Sequence, residues 1–132
     1  MKISAAAQAS GLTAKTIRYY ESIGLLDSHR LDNGYRDYTD RDIQSLRFLS
    51  RARSLGFSLE DCRSLLELQK NPQRASAAVK SVAEHRLAHI EEQMRDLVQM
   101  RETLVSWVAQ CPGDDSAHCA ILDHLSEPDR GD

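Results

Sequence analysis

Two cysteines near the end of the chain are the residues best suited to chemistry. Cys111 and Cys119 bound the stretch CPGDDSAHC, in which Pro112 and Gly113 are typical of a tight turn. Thiolates bind soft metal ions and also form disulfides, so the stretch allows a disulfide loop, a zinc site or a site for another ligand. The chain has 3 cysteines, and this odd number argues against a disulfide framework.

The donor atoms available in this stretch favour a soft monovalent ion. Zinc sites usually have four ligands and more closely spaced cysteines, whereas here His118 is the obvious third ligand nearby. Two thiolates with few other donors suit Cu(I), which prefers soft ligands. A short helix predicted to begin near Ala120 would direct its positive N-terminal dipole at the site. Asp114 and Asp115 are expected to cap turns or to accept hydrogen bonds from loop amides. Trp107 is interpreted as a packing residue.

Composition and charge indicate a polyanion-binding module joined to a second part. The 132 residues are 41% hydrophobic and 28% charged, as expected for one domain or for a small domain with an appendage. Residues 1–75 hold 12 Lys and Arg against 9 Asp and Glu, whereas residues 76–132 hold 5 against 11. We expect a cytoplasmic protein that associates with no membrane, because neither a spanning segment nor a signal peptide is recognisable.

The elements that position these residues are predicted to be mainly α-helical. Ser4 is predicted to cap a helix through Ala9 that stops at Gly11, and Thr13 to cap a second that ends at Gly24. Two short helices joined by a tight turn are a helix-turn-helix candidate.

The next segment predicts a hairpin and two linking helices. The Asp-Asn-Gly sequence at residues 32–34 favours a tight hairpin turn, which would form a wing. Thr39 is predicted to cap a helix to about Ser54, and Ser58 another that ends at Asn71 and Pro72. In that last helix Cys62 shares the apolar face and is interpreted as a buried structural cysteine.

A long uninterrupted helix is predicted over residues 76–109, which contain neither Gly nor Pro. Its apolar residues follow alternating three- and four-residue steps, broken at Arg101, and such a stripe calls for a partner helix from a second copy. We therefore expect a homodimer. The predicted domains are the winged helix-turn-helix with linking helices at 1–70, the dimerisation helix at 71–109, the metal-binding loop and short helix at 110–126, and a disordered tail at 127–132.

Basic and aromatic residues in the first half suit contact with DNA. Lys15, Arg18 and Tyr19 lie on one side of the second predicted helix, and Tyr35 and Arg36 lie beside the hairpin turn. Lys and Arg contact phosphates and read guanine edges in the major groove. A dimer would then bind a pseudo-palindromic operator in double-stranded DNA.

Two stretches, ISAAAQASGLTAKTIRYYESIGLL and NGYRDYTDRDIQSLRFLSRARSLGFSLED, carry a resemblance to the MerR family of transcriptional regulators. The likeness extends over essentially the whole chain. It implies that the DNA contacts come from Lys15, Arg18, Tyr19, Tyr35, Arg36 and Arg53. Tyr20 is expected to lie mostly in the core.

The loop itself resembles that of the copper-sensing branch, whose pattern is CPGDDSAxCPI. Cys111 and Cys119 match its two metal ligands, and Ser76 matches the serine of its monovalent-ion sensors. Sensors of divalent ions have a cysteine there, supplied by the other subunit. The resemblance implies one Cu(I) per subunit, with Ag(I) and Au(I) as mimics. Ala120 departs from the pattern by replacing a proline, which would leave the loop less rigid.

The function implied is a copper(I)-responsive dimer that distorts promoter DNA so that RNA polymerase can engage it, activating copper-efflux or detoxification genes. Three alternatives stay open: a divalent-metal sensor that also uses His118, a thiol redox switch, and a DNA-architectural protein with incidental cysteines. An enzyme is not expected, because no nucleophile with a base, phosphate loop or paired carboxylates is recognisable.

Overall fold

A computed structural model describes residues 1–27, 36–115 and 117–128. Helices, and no strands, form the regular structure of these residues, which confirms the predicted mainly α class. The predicted wing turn at 32–34 and Tyr35 lie outside the described residues, as does the predicted tail from residue 129 onward. The helices are α1 (Ile3–Ser10), α2 (Ala14–Ser22), α3 (Asp40–Ser54), α4 (Leu59–Lys70), α5 (Ser76–Gln110) and α6 (Ala120–Ser126).

Side-chain caps mark the starts of three of the six described helices, as predicted. The side chains of Thr13, Thr39 and Ser58 each accept a hydrogen bond from a backbone N–H in the first turn of α2, α3 and α4. The prediction for α1 was wrong: the backbone is already helical at Ile3, so Ser4 lies inside the first turn. Gly11 ends α1 with a φ of 78°, in the left-handed region that glycine adopts without strain.

Two adjoining apolar clusters hold the first four helices together. In the first cluster Ala6 of α1 and Ile17 of α2 are both fully buried. A side chain as small as that of Ala6 lets α2 cross α1 closely. The full membership is Ala6, Ile17, Leu26, Tyr38, Ile43 and Leu46 in the first cluster, and Tyr20, Leu25, Leu49, Ala52, Cys62 and Leu66 in the second.

The second cluster contains Tyr20 and Cys62, both of which the sequence predicted to lie in the core. Tyr20 is 5% exposed and Cys62 is fully buried, which confirms both as core residues. Burial raises the pKa of the Cys62 thiol, because a thiolate is poorly solvated there. Cys62 is therefore a packing residue rather than a metal ligand.

The chain divides into two compact units, residues 1–86 and 87–132. In the first unit, Arg86 Nε donates to the Leu55 carbonyl oxygen at the end of α3 (3.0 Å). In α5 no residue is buried in the single chain. None of the helices that the structure describes is both long and apolar enough to cross a lipid bilayer.

Candidate metal centre and nucleic-acid interface

The exposed face of α2 carries three of the predicted DNA contacts. Lys15, Arg18 and Tyr19 are exposed, whereas Ile17 and Tyr20 are buried. The helical repeat of 3.6 residues per turn produces this separation of faces. The structure therefore presents two cations and a phenol together on one surface of the first unit.

A buried carboxylate holds the segment that follows the predicted wing. The Glu21 side chain is 2% exposed and forms an ion pair with Arg36. It also accepts a hydrogen bond from the Tyr38 hydroxyl. Burial raises the pKa of Tyr38, although the nearby charges of Arg36 and Arg18 oppose this shift. Arg36, a predicted DNA contact, is thus anchored to α2 through Glu21.

Arg53, a further predicted DNA contact, also has a structural partner. Its Nη1 donates to the Phe57 carbonyl oxygen at 2.7 Å, which closes the turn after α3. The Phe57 carbonyl oxygen lies beyond the end of α3, so the Arg53 guanidinium supplies it with a donor that the helix does not. Arg51, which lies two residues before Arg53 on α3, is exposed.

The two cysteines of the candidate metal centre lie at the two ends of one loop. Cys111 directly follows α5, and its backbone N–H donates to the Val108 carbonyl oxygen (3.2 Å). Cys119 occupies the N-cap position of α6, and its carbonyl oxygen accepts from the Asp123 N–H (3.1 Å). Both thiols are free and partly exposed, so both are available to a ligand.

The Cys111 thiol lies within hydrogen-bonding reach of the Cys119 sulfur. The pKa of Cys119 is lowered, mainly because the backbone N–H of Leu122 stabilises its thiolate. The N–H of Ile121 and the Cys111 thiol act in the same direction, against desolvation and the charge of Asp123. The start of α6 thus favours negative charge on sulfur, as the sequence predicted for a helix beginning near Ala120.

The described residues of the loop between the cysteines complete no three-donor group with them. Gly113 has a φ of 63°, consistent with the predicted Pro-Gly turn. The His118 side chain is 68% exposed, and its Nδ1 lies 3.9 Å from an Asp123 carboxylate oxygen. Across the part of the chain that the structure describes, no three His, Cys, Asp or Glu side chains form a group that could hold a metal ion. The arrangement on this chain is a thiol pair, whose chemistry suits a soft ion.

Ser76 is the first residue of α5 and is exposed. It belongs to the first compact unit, whereas both cysteines belong to the second. Its role in metal selectivity therefore stays a prediction.

A contact beside the thiol pair was not anticipated from the sequence. The indole of Trp107 on α5 stacks on the imidazole of His124 on α6, with ring centroids 5.0 Å apart and planes 5° from parallel. His124 Nε2 also lies 2.7 Å from Gln110 Oε1. Helical periodicity could not reveal this contact, because the loop separates the two helices in the sequence.

Two family models together match residues 1–107 of this chain. A family model described as MerR HTH family regulatory protein matches residues 1–69, and one described as MerR, DNA binding matches residues 43–107. The chain is 49% identical over 127 residues to the HTH-type transcriptional regulator HmrR of Rhizobium leguminosarum bv. viciae, covering 96% of this chain and 98% of that protein. It is 45% identical to the HTH-type transcriptional regulator CueR of Salmonella typhi, covering 96% and 92% respectively.

A solved structure shares the fold over nearly the whole chain. It is the transcription regulator PbrR691 from Ralstonia metallidurans CH34, determined in complex with lead(II). The TM-score is 0.82 at 28% sequence identity, and the match covers 96% of this chain and 99% of that one.

Proposed function

Because this chain belongs to the MerR family of helix-turn-helix transcriptional regulators, we propose that the metal to which it responds is copper(I). Members of this family are DNA-binding regulators and not enzymes. The observation that carries the proposal is the pairing of the Cys111 and Cys119 thiols without a third donor group among the described residues.

The ligand chemistry supports a monovalent ion. Two thiolates and one monovalent cation leave a single negative charge, which the backbone N–H groups of Ile121 and Leu122 can partly offset. A divalent ion would call for more donors than this pair. The serine at position 76 and the likeness of the loop to the copper-sensing branch, of which CueR is the type, point in the same direction. Ag(I) and Au(I) are expected to act as chemical mimics.

The first unit would supply the DNA contacts. Lys15, Arg18 and Tyr19 are exposed on one face of α2 and would contact the duplex together. Arg36, paired with Glu21, and Arg53, bonded to the Phe57 carbonyl oxygen, would add further DNA contacts. Tyr35 would add one from the predicted wing. Two copies in a homodimer would read the two halves of a pseudo-palindromic promoter operator, in the cytoplasm.

Metal binding would activate transcription by changing the DNA. By resemblance to the family, the promoter has a longer spacer than usual between its two recognition elements. The metal-bound dimer would bend and underwind this spacer so that RNA polymerase engages both elements, at copper-efflux or detoxification genes. Physically, metal must bind one of two dimer arrangements more tightly than the other.

The test is an anaerobic, chelator-competed titration with Cu(I) and, separately, Zn(II). Wild-type protein should bind Cu(I) tightly at one ion per chain and bind Zn(II) weakly. Cys111→Ser and Cys119→Ser should each lose Cu(I) binding, because a single thiolate cannot replace the pair. Cys62→Ala is the matched control and should retain it, because Cys62 is buried in the core.

Zinc binding at comparable tightness would contradict the proposal. It would favour a divalent-metal sensor, as the lead(II) complex of the similar PbrR691 makes reasonable. His118→Ala would then test whether the imidazole completes that site. Formation of a Cys111–Cys119 disulfide that alone switches transcription, without metal, would favour the redox alternative.

A second experiment tests selectivity at position 76. Ser76→Cys adds a soft donor where sensors of divalent ions have one, so the variant should bind Zn(II) and Pb(II) more tightly and respond to them in transcription assays. Ser81→Cys adds an exposed thiol further along the same helix and serves as control. An equal gain in both variants would show that any added thiol suffices and would remove Ser76 from the proposal.

A further inference from the structure

Three side chains join the last turns of α5 to α6 beside the thiol pair. Trp107 stacks on His124 with nearly parallel rings. His124 Nε2 lies 2.7 Å from Gln110 Oε1, which makes Nε2–H the donor because an amide oxygen only accepts. Gln110 Nε2 in turn lies 3.4 Å from Ser106 Oγ. We call Trp107, Gln110 and His124 the inter-helix clamp.

The clamp acts on both ends of the metal-binding loop. Gln110 immediately precedes Cys111, and His124 lies within the short helix that Cys119 begins. Without these contacts the two cysteines would be connected only through loop residues 112–118. Binding one metal ion with both sulfurs would then cost the entropy of closing that loop. With the contacts formed, α6 is held against α5 and the sulfurs stay close.

The clamp is held by directional contacts. A stacked aromatic pair restricts both the tilt and the separation of the two helices. The hydrogen bond to Gln110 fixes the rotation of the His124 ring. His124 Nδ1 faces Glu127 Oε1 across 3.7 Å, so the ring has polar neighbours at both nitrogens.

We propose that Trp107, Gln110 and His124 are positioning residues that hold the Cys111 and Cys119 thiols together before the metal arrives. The inference rests on the proposed function, since it assigns these residues to the same site. Groups that orient metal ligands without touching the metal change affinity by about 10- to 100-fold when removed. The clamp therefore tunes copper affinity through its effect on the thiol pair.

The first measurement is Cu(I) affinity by anaerobic chelator competition on the full chain. His124→Ala and Gln110→Ala should weaken Cu(I) binding by about ten-fold, because the thiols must be ordered by the metal itself. Trp107→Ala should do the same, whereas Trp107→Phe retains a stacking ring and should recover most of the affinity. Ser126→Ala changes an exposed residue of the same helix and should leave affinity unchanged.

Two readouts separate positioning from general stability. The thermal midpoint and the metal-free affinity for DNA should be the same in wild type, His124→Ala and Trp107→Phe. A fall in either of these together with copper affinity would overturn the proposal in favour of a structural role.

A metal-free measurement keeps the inference separate from the copper assignment. The protein is equilibrated with reduced and oxidised glutathione, so that two protein thiols and one oxidised glutathione yield one protein disulfide and two reduced glutathiones. The equilibrium constant reports the effective concentration of Cys111 at Cys119. His124→Ala should lower this equilibrium constant about ten-fold, which is the same factor as that expected for Cu(I) affinity.

The outcomes are distinct. Unchanged glutathione equilibria and unchanged Cu(I) affinities in all three alanine variants would overturn the clamp. A wild-type protein that fails to bind Cu(I), but whose glutathione equilibrium falls on His124→Ala, would support the clamp and contradict the proposed metal.

Discussion

At the residue scale, the three cysteines differ in what surrounds them. Cys62 is buried among apolar side chains, and burial raises its pKa. Cys119 stands at the start of a helix, where the N–H of Leu122 is the main cause of its lowered pKa. The same functional group therefore ionises less readily at Cys62 and more readily at Cys119.

This difference predicts selective alkylation of the metal-free protein. A lowered pKa means that Cys119 has a larger thiolate fraction than an ordinary thiol at neutral pH, and the thiolate is the form that reacts. The pH at half-maximal rate of iodoacetamide labelling, followed by mass spectrometry, should therefore lie lower at Cys119 in the folded protein than at the same cysteine in the unfolded protein. Cys62 should stay unlabelled while the protein is folded.

The unfolded protein provides the reference. In denaturant all cysteines should label with an ordinary thiol midpoint, and a Cys119 midpoint unchanged on unfolding would contradict the effect of the α6 backbone.

At the element scale, α2 is fixed from several sides so that one face stays free. The Thr13 side chain caps its start, and Ile17 is buried beneath it. At its end Arg63 of α4 donates to the carbonyl oxygens of Ile23 (2.6 Å) and Gly24 (3.3 Å). These contacts fix both ends of the helix while Lys15, Arg18 and Tyr19 stay exposed.

We therefore predict that Arg18→Ala weakens binding to operator DNA and also reduces its salt dependence. Each lost phosphate contact lowers the slope of log K against log salt by about 0.9, and a dimer loses two contacts, so the slope should fall by about 2. Fluorescence anisotropy over a salt series measures both quantities.

Arg95→Ala is the control, because it removes an exposed arginine from α5 and should leave the slope unchanged. An unaltered slope in Arg18→Ala would assign Arg18 to a role away from the phosphates.

At the scale of the whole molecule, α5 leaves a large apolar surface exposed. Leu97 is 62% exposed and Val108 is 61% exposed. Apolar surface of this extent on a helix is typical of an interface between chains. The apolar residues lining one groove along it are Leu97, Met100, Leu104, Val105, Val108 and Ala109.

A charge in this groove should separate the proposed dimer. Leu104→Glu would bury an unpaired carboxylate at the interface, which should raise the dimer dissociation constant by about 100-fold or more. Sedimentation velocity at micromolar concentration would show a monomer, and affinity for a two-half-site operator would fall with it.

Gln99→Glu, at another exposed position of the same helix, should stay dimeric. A Leu104→Glu protein that remained a dimer would place the interface elsewhere.

The sequence by itself determined the features that depend on neighbouring residues. The caps at Thr13, Thr39 and Ser58, the long α5 and the start of α6 follow from local signals such as hydroxyl side chains, helical periodicity and the absence of Gly and Pro. The positions of Cys111 and Cys119 at the two ends of one loop, and the exposed face of α2, could be predicted for the same reason.

Only the tertiary structure decided which side chains meet across long stretches of sequence. It pairs Arg36 with buried Glu21, and it stacks Trp107 on His124. No periodic pattern links residues on different elements, because their approach depends on how the helices pack and not on spacing along the chain. The same reason explains why Trp107 could be predicted to pack but not to hold the helix that presents Cys119.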